Sequence, residues 1–170
     1  MKSVCMIIAL ITILLFGTPS GILGGDEEKM DLSDLAWVVE LPRGFDDAVK
    51  QVTAALTTEG FGVVARIDLH TSFKKKLDVE MKPHTILKVC NPKLAHKAVT
   101  ALPEVSLLLP CSVTVQSVGE NLTIVRIGNP QTIMSDAGVD ANPVVREVGD
   151  TANQQLKRVA QVLGTPVEIE

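Results

Sequence analysis

In Ile86-Leu87-Lys88-Val89-Cys90-Asn91-Pro92-Lys93-Leu94-Ala95-His96-Lys97-Ala98 a strand passes directly into a helix. His84 to Cys90 follows Pro83 and carries the apolar content of a strand. Asn91 is a good helix N-cap, and Pro92 suits the first helical position, where its missing N–H is no loss. Leu94, Ala95, Ala98, Val99 and Leu102 then recur at helical spacing, and Pro103 ends the helix. A second stretch, Leu107-Leu108-Leu109-Pro110-Cys111-Ser112-Val113, answers the first with another cysteine beside a proline.

Working outward, Leu35 to Leu41 alternates as an entering strand, and Pro42-Arg43-Gly44 turns the chain. Phe45, Ala48, Val49, Val52 and Leu56 then mark a helix, with Asp46 and Asp47 at the positive end of its dipole and Gly60 placed for a left-handed C-cap. Phe61 to Asp68 reads as a strand with Phe61, Val63 and Ile67 on one face. A short helix across His70 to Leu77 carries Lys74-Lys75-Lys76, a run that reads as a solvated face.

Val105 to Val118 is expected as one long strand, with Pro110 at an edge or a bulge because it cannot donate to a ladder. Gly119-Glu120-Asn121 turns into a partner strand, Leu122 to Ile127, and a short piece with Ile133 and Met134 follows. Asn142-Pro143 repeats the cap-plus-proline signal before a last helix on Val145, Val148, Ala152, Leu156, Val159, Ala160 and Leu163. The order is strand, helix, strand, short helix, strand, helix, hairpin, helix. This predicts one α+β domain over residues 35–165, an antiparallel-rich sheet of about five strands packed by two long helices.

The 170 residues fit one domain with an appended segment, and 46% apolar content supplies a core. A net charge of −4, no Tyr, and only Trp37 and four Phe argue against nucleic acid as a partner. Near the N-terminus, Lys2 precedes an apolar run from Val4 to Phe16, broken by Thr12 and closed by Gly17-Thr18-Pro19-Ser20. A spanning helix needs about 20 apolar residues and a signal segment about 7–15, so residues 1–20 read as a signal peptide. Residues 21–34 then form a flexible leader, and the protein is exported, periplasmic or extracellular. Membrane attachment would come only through that N-terminal segment, were it left uncleaved.

Cleavage removes Cys5 and Lys2 and none of the 20 acidic residues, leaving a net charge of −5 and two cysteines, Cys90 and Cys111. Three readings of this pair stay open: inert thiols, a redox or disulfide pair, and a soft-metal site for Zn or Cu with His96 as third ligand. A helix N-terminus at Cys90 would stabilise a thiolate and lower its pKa. His96 falls roughly 130° from the apolar stripe of its helix, beside Lys93 and Lys97. By strand parity Cys111 lies with Val113, whereas Cys90 lies with Lys88 and opposite Val89, so register decides whether the sulfurs meet. His70 and His84 read as surface histidines, and Asp68 as a turn cap. No hydrolase, kinase, dinucleotide or P-loop motif is present.

Gly60-Phe61-Gly62-Val63 leading to Ile67-Asp68, Cys90-Asn91-Pro92 with Ala95-His96-x-Ala98, and Leu109-Pro110-Cys111-Ser112-Val113 together resemble the DUF302 domain, over about residues 36 to 163. The resemblance implies a small α+β fold of the TBP-like type and a homodimer assembled through the sheet. It implies no established activity, since the family is one of unknown function. Ser112 stands where asparagine is usual in that family, His84 where tyrosine is common, and Asn129-Pro130 replaces Asp-Pro. The reading that follows is a dimeric module binding a small ligand, a metal or a protein. The alternative is a thiol-dependent redox or sulfur-handling protein using Cys90 and Cys111.

Overall fold

Alternation along the strands builds the sheet. The structure is a computed structural model that describes residues 32–167. Its strands are β1 (Ala36–Leu41), β2 (Gly62–Asp68), β3 (His84–Cys90), β4 (Cys111–Gly119), β5 (Leu122–Gly128) and the two-residue β6 (Pro166–Val167). They lie in the order β2-β3-β4-β5-β1-β6, each neighbouring pair antiparallel. Val39, Leu41, Leu87, Val89, Val113, Val115, Val125 and Ile127 turn to one face and are at most 2% exposed. Between them, Ile86, Lys88, Thr114, Gln116, Ile124 and Arg126 are half-buried on the other face.

Among the described residues six α-helical segments accompany the sheet: α1 (Leu32–Leu35), α2 (Phe45–Thr58), α3 (Leu69–Leu77), α4 (Pro92–Ala101), α5 (Pro130–Asp136) and α6 (Pro143–Leu163). Helices α2 and α6 cover the apolar face, setting Ala48, Val52, Leu56, Leu156 and Val159 against the strands. Alongside, α4 packs on α6 and shares a second apolar cluster of Ala98, Val105, Met134, Val145 and Val148. One α+β domain with a five-strand antiparallel sheet and two long helices is what the sequence predicts. None of the described helices is long and apolar enough to cross a membrane.

Three helices start by the same device. Asn91, Asn129 and Asn142 each precede a proline, and each side-chain oxygen accepts hydrogen bonds from the N–H groups two and three residues on. Proline sets φ and has no N–H of its own, and the asparagine satisfies donors that the first turn leaves free. At the end of α2, Gly60 has φ +82°, the left-handed conformation anticipated for it.

Several boundaries differ from the sequence reading. The signal segment (1–20) and most of the leader (21–34) lie outside the described residues, while Leu32–Leu35 closes that leader as a helical turn. Pro103–Leu108 is a 3-10 turn, so the strand expected from Val105 starts only at Cys111, after the cis bond between Leu109 and Pro110. Pro110 has no N–H for a ladder, and β4 is a central strand, so the ladder begins just beyond it. In β2, Val63 pairs with Val89 but Ala65 pairs with Lys88, leaving Val64 as the extra residue of a bulge. Ile67 therefore pairs with Ile86 on the opposite face from Val63, contrary to simple alternation.

Candidate functional site

The two cysteine segments meet at one end of the sheet. Cys90 is the last residue of β3 and Cys111 the first of β4, and the partner of Cys111 across the ladder is Val89. Both cysteines are free, half-buried thiols. They line one apolar cleft with Phe61, Leu94, Leu109 and Met134. The cleft holds about 20 Å³, space for a single water-sized group and for nothing larger.

Burial governs both thiols. It pushes the Cys90 pKa above its ordinary value, the reverse of the thiolate expected at a helix N-terminus. Asn91 Oδ1 accepts from the Lys93 and Leu94 N–H groups of the first turn that follows Cys90. Cys111 is pushed up to about 11, first by burial and then by the nearby Cys90 charge, with the Lys88 ammonium pulling the other way. Their shared cleft places the two cysteines in one neighbourhood despite the parity of their strands. Both stand at strand ends, where alternation is weakly enforced.

His96 does not join them. It is exposed on α4 and absent from the cleft, and among the described residues no three His, Cys, Asp or Glu side chains converge to hold a metal. His70 and His84 are half-buried, not surface residues. The Nδ1 of His70 lies 3.2 Å from the His84 backbone nitrogen and 3.1 Å from its carbonyl oxygen, which ties α3 to β3. Asp68 makes no side-chain cap, and its carboxylate accepts from Arg66 Nε at 2.8 Å. In the lysine run, Lys74 is held by Asp78 at 2.7 Å and Glu80 at 3.0 Å.

Sequence reasoning missed Lys88. It projects from the middle of β3 between buried Leu87 and Val89, on the opposite face. Its ammonium donates to Ser112 Oγ at 2.8 Å and to the Pro110 carbonyl at 3.3 Å. Beside it opens a second cavity of about 180 Å³, lined by Leu108, Pro110, Cys111, Pro130, Ile133 and Met134. A lysine in a central strand between two core positions is the signal that would have found it.

Fold and site together define a small α+β domain with an antiparallel sheet, helices on one face and two protonated thiols at the sheet end. The family model of the domain of unknown function DUF302 matches residues 37–163, and the chain belongs to that family. Its fold is similar to the crystal structure of an uncharacterized conserved DUF302 protein from Bacillus stearothermophilus. The two are 22% identical with a TM-score of 0.65, over 75% of this chain and 96% of that one. At that identity the likeness concerns the fold alone. No curated protein matches the chain.

Proposed function

We propose that the protein is an exported, homodimeric module, periplasmic or extracellular, that binds a small ligand at the cysteine end of its sheet without catalysing a reaction. The observation that carries this reading is the state of the thiols. Burial holds both protonated, and among the described residues no histidine or carboxylate joins them as base or third ligand. A nucleophilic thiol needs a base or a lowered pKa, and neither is at hand.

The homodimer is supported by β2. It is an edge strand, exposed along nearly all its length, and Val64 at its bulge is 60% exposed. Ile67, with Phe73 and Leu77 of α3, extends the apolar surface, and no residue of α3 is buried. An unprotected apolar edge invites antiparallel pairing, and pairing about a two-fold axis with a second copy satisfies both edges at once. Light scattering on the exported protein tests this. A dimer that Val64→Lys converts to a folded monomer supports the assembly, and a monomeric parent protein removes it.

A second reading, a reversible disulfide, is favoured by the shared cleft. The Cys90 thiolate would attack a small disulfide and expel one thiolate. Cys111 would then attack the mixed disulfide and release the second. Two electrons pass to the small disulfide, and the two protons from the cysteines end on the released thiols. Mass spectrometry of the native protein separates the readings. Two free thiols that survive glutathione disulfide support the binding module, and the loss of two hydrogen masses supports the redox pair.

A further inference from the structure

Lys88 presents a charge balance that neither the thiols nor the family explains. Its side chain is half-buried, and among the described residues its ammonium hydrogen-bonds only to neutral oxygens, those of Ser112 and Pro110. The ion pairs among the described residues engage Lys50, Arg66, Lys74, Lys97 and Arg158, but not Lys88. An ammonium has three N–H donors, so one remains unspent. A cation drawn partly out of water without a counter-charge is unfavourable, and an anion brought alongside would relieve that cost.

The space beside it is shaped for more than a bare ion. Its volume of about 180 Å³ is nine times that of the thiol cleft, whose volume is about 20 Å³. Leu108, Pro130, Ile133 and Met134 give it apolar walls. Gly128 keeps the floor open: a Cβ there would stand 3.2 Å from the Ser112 carbonyl oxygen and 3.7 Å from Ile133 Cδ1. One cation at one side of an apolar chamber selects a single negative group on a short apolar body. Polyanions such as nucleotides find only one positive partner here.

We propose that this cavity is a binding site for a small organic monoanion, with its carboxylate on the Lys88 ammonium and its hydrocarbon part against Ile133 and Met134. The proposal rests on the small-ligand reading above and specifies its ligand class. Cys111 lines both cavities, whereas Cys90 lines only the thiol cleft. An occupant would therefore shield Cys111 and leave Cys90 reachable.

The test uses the exported full chain and short carboxylates as probes, titrated by calorimetry. Hexanoate is expected to bind more tightly than acetate, and hexan-1-ol at least about tenfold more weakly than hexanoate, the order expected for losing a charge-assisted hydrogen bond. Lys88→Met should weaken hexanoate by about the same factor, and Ile133→Trp, which fills the chamber while keeping the lysine, should abolish binding. Hexanoate should slow alkylation of Cys111 by iodoacetamide at pH 9 and leave the Cys90 rate unchanged. Equal binding of hexanoate and hexan-1-ol, both blocked by Ile133→Trp, would overturn the anion class while the small-ligand reading stands. Binding of none of the probes, or hexanoate binding indifferent to both substitutions, would overturn the site itself.

Discussion

Cys111 stands directly across the β3–β4 ladder from Val89, one position short of Cys90. The two thiols are thus offset by a residue, share a cleft and remain unbonded. Because Cys111 is pushed up to about 11 while Cys90 is raised less, their reactivities should separate. With iodoacetamide at neutral pH, Cys90 should react first and Cys111 at least about tenfold more slowly, since the thiolate is the nucleophile. The Cys111 rate should keep climbing to about pH 11. A Cys111 rate already level at pH 8 would contradict the burial argument.

The same shift has a consequence for stability. The folded state keeps the Cys111 proton that the unfolded chain gives up near 9.0, so the contribution is complete below that pH. It is lost as the pH rises from about 9 to about 11. The amount is on the order of 2 kcal/mol. Urea midpoints measured across that window should fall for the parent protein and fall less for Cys111→Ala, each compared with its own midpoint at pH 7.

Gly60→Ala should destabilise the fold by about 1–2 kcal/mol, because a Cβ at left-handed φ meets its own backbone. Here φ is +82°, and the added carbon would also stand 3.1 Å from Asn91 Nδ2, the side chain that caps α4. Gly62→Ala, two residues on in β2, meets nothing within 4 Å and serves as the control. Equal urea midpoints for the two variants would mean that the left-handed turn carries no special cost.

Asn142 joins two elements: its oxygen accepts from the Val144 and Val145 N–H groups, and its Nδ2 donates to the Ala101 carbonyl at 3.3 Å. Asn142→Ala removes the cap and the tie to α4, with an expected loss of about 1–2 kcal/mol. Asn142→Asp keeps an acceptor at the positive end of the helix dipole and should recover more than half of that loss. Thermal melts of the three proteins give the comparison directly.

Much of this architecture is readable from residue order, because asparagine-proline pairs and helical spacing are local signals. Asn91, Asn142 and Gly60 each do what their position suggests, and His96 lies outside the site as its angle on the helix implies. What escaped the reading depends on pairing between distant segments. The bulge at Val64 is set by how β2 meets β3, and it moves Ile67 to the other face without any mark in the sequence. Leu107 alternates with Leu109 as a strand would, yet it belongs to the turn before Pro110 and is 87% exposed. The cysteine pKa directions depend on burial by α4, α5 and α6, which no spacing encodes. Lys88 is marked in the sequence by its place between two core positions, but its partners, Ser112 and the Pro110 carbonyl, come from β4 and the turn before it.

His84 should make the protein sensitive to mild acid. Burial lowers its pKa below 6.5, and the charges of Arg126 and His70 lower it further. Among the described residues its buried Nε2 also has no hydrogen-bond partner, so protonation there would place an unsatisfied cation beside Arg126. The folded state thus favours the neutral ring: the stability it contributes is complete above the unfolded value near 6.5 and is lost as pH falls through the lower, folded value. Carboxylates titrate about two units lower, so the decline just below 6.5 belongs to histidine. His84→Phe keeps a flat ring, removes the orphaned nitrogen and leaves the backbone N–H that approaches His70 Nδ1. Its melting temperature should hold between pH 6.5 and pH 5, while that of the parent declines. Parallel declines in the two proteins would assign the acid sensitivity to a group other than His84.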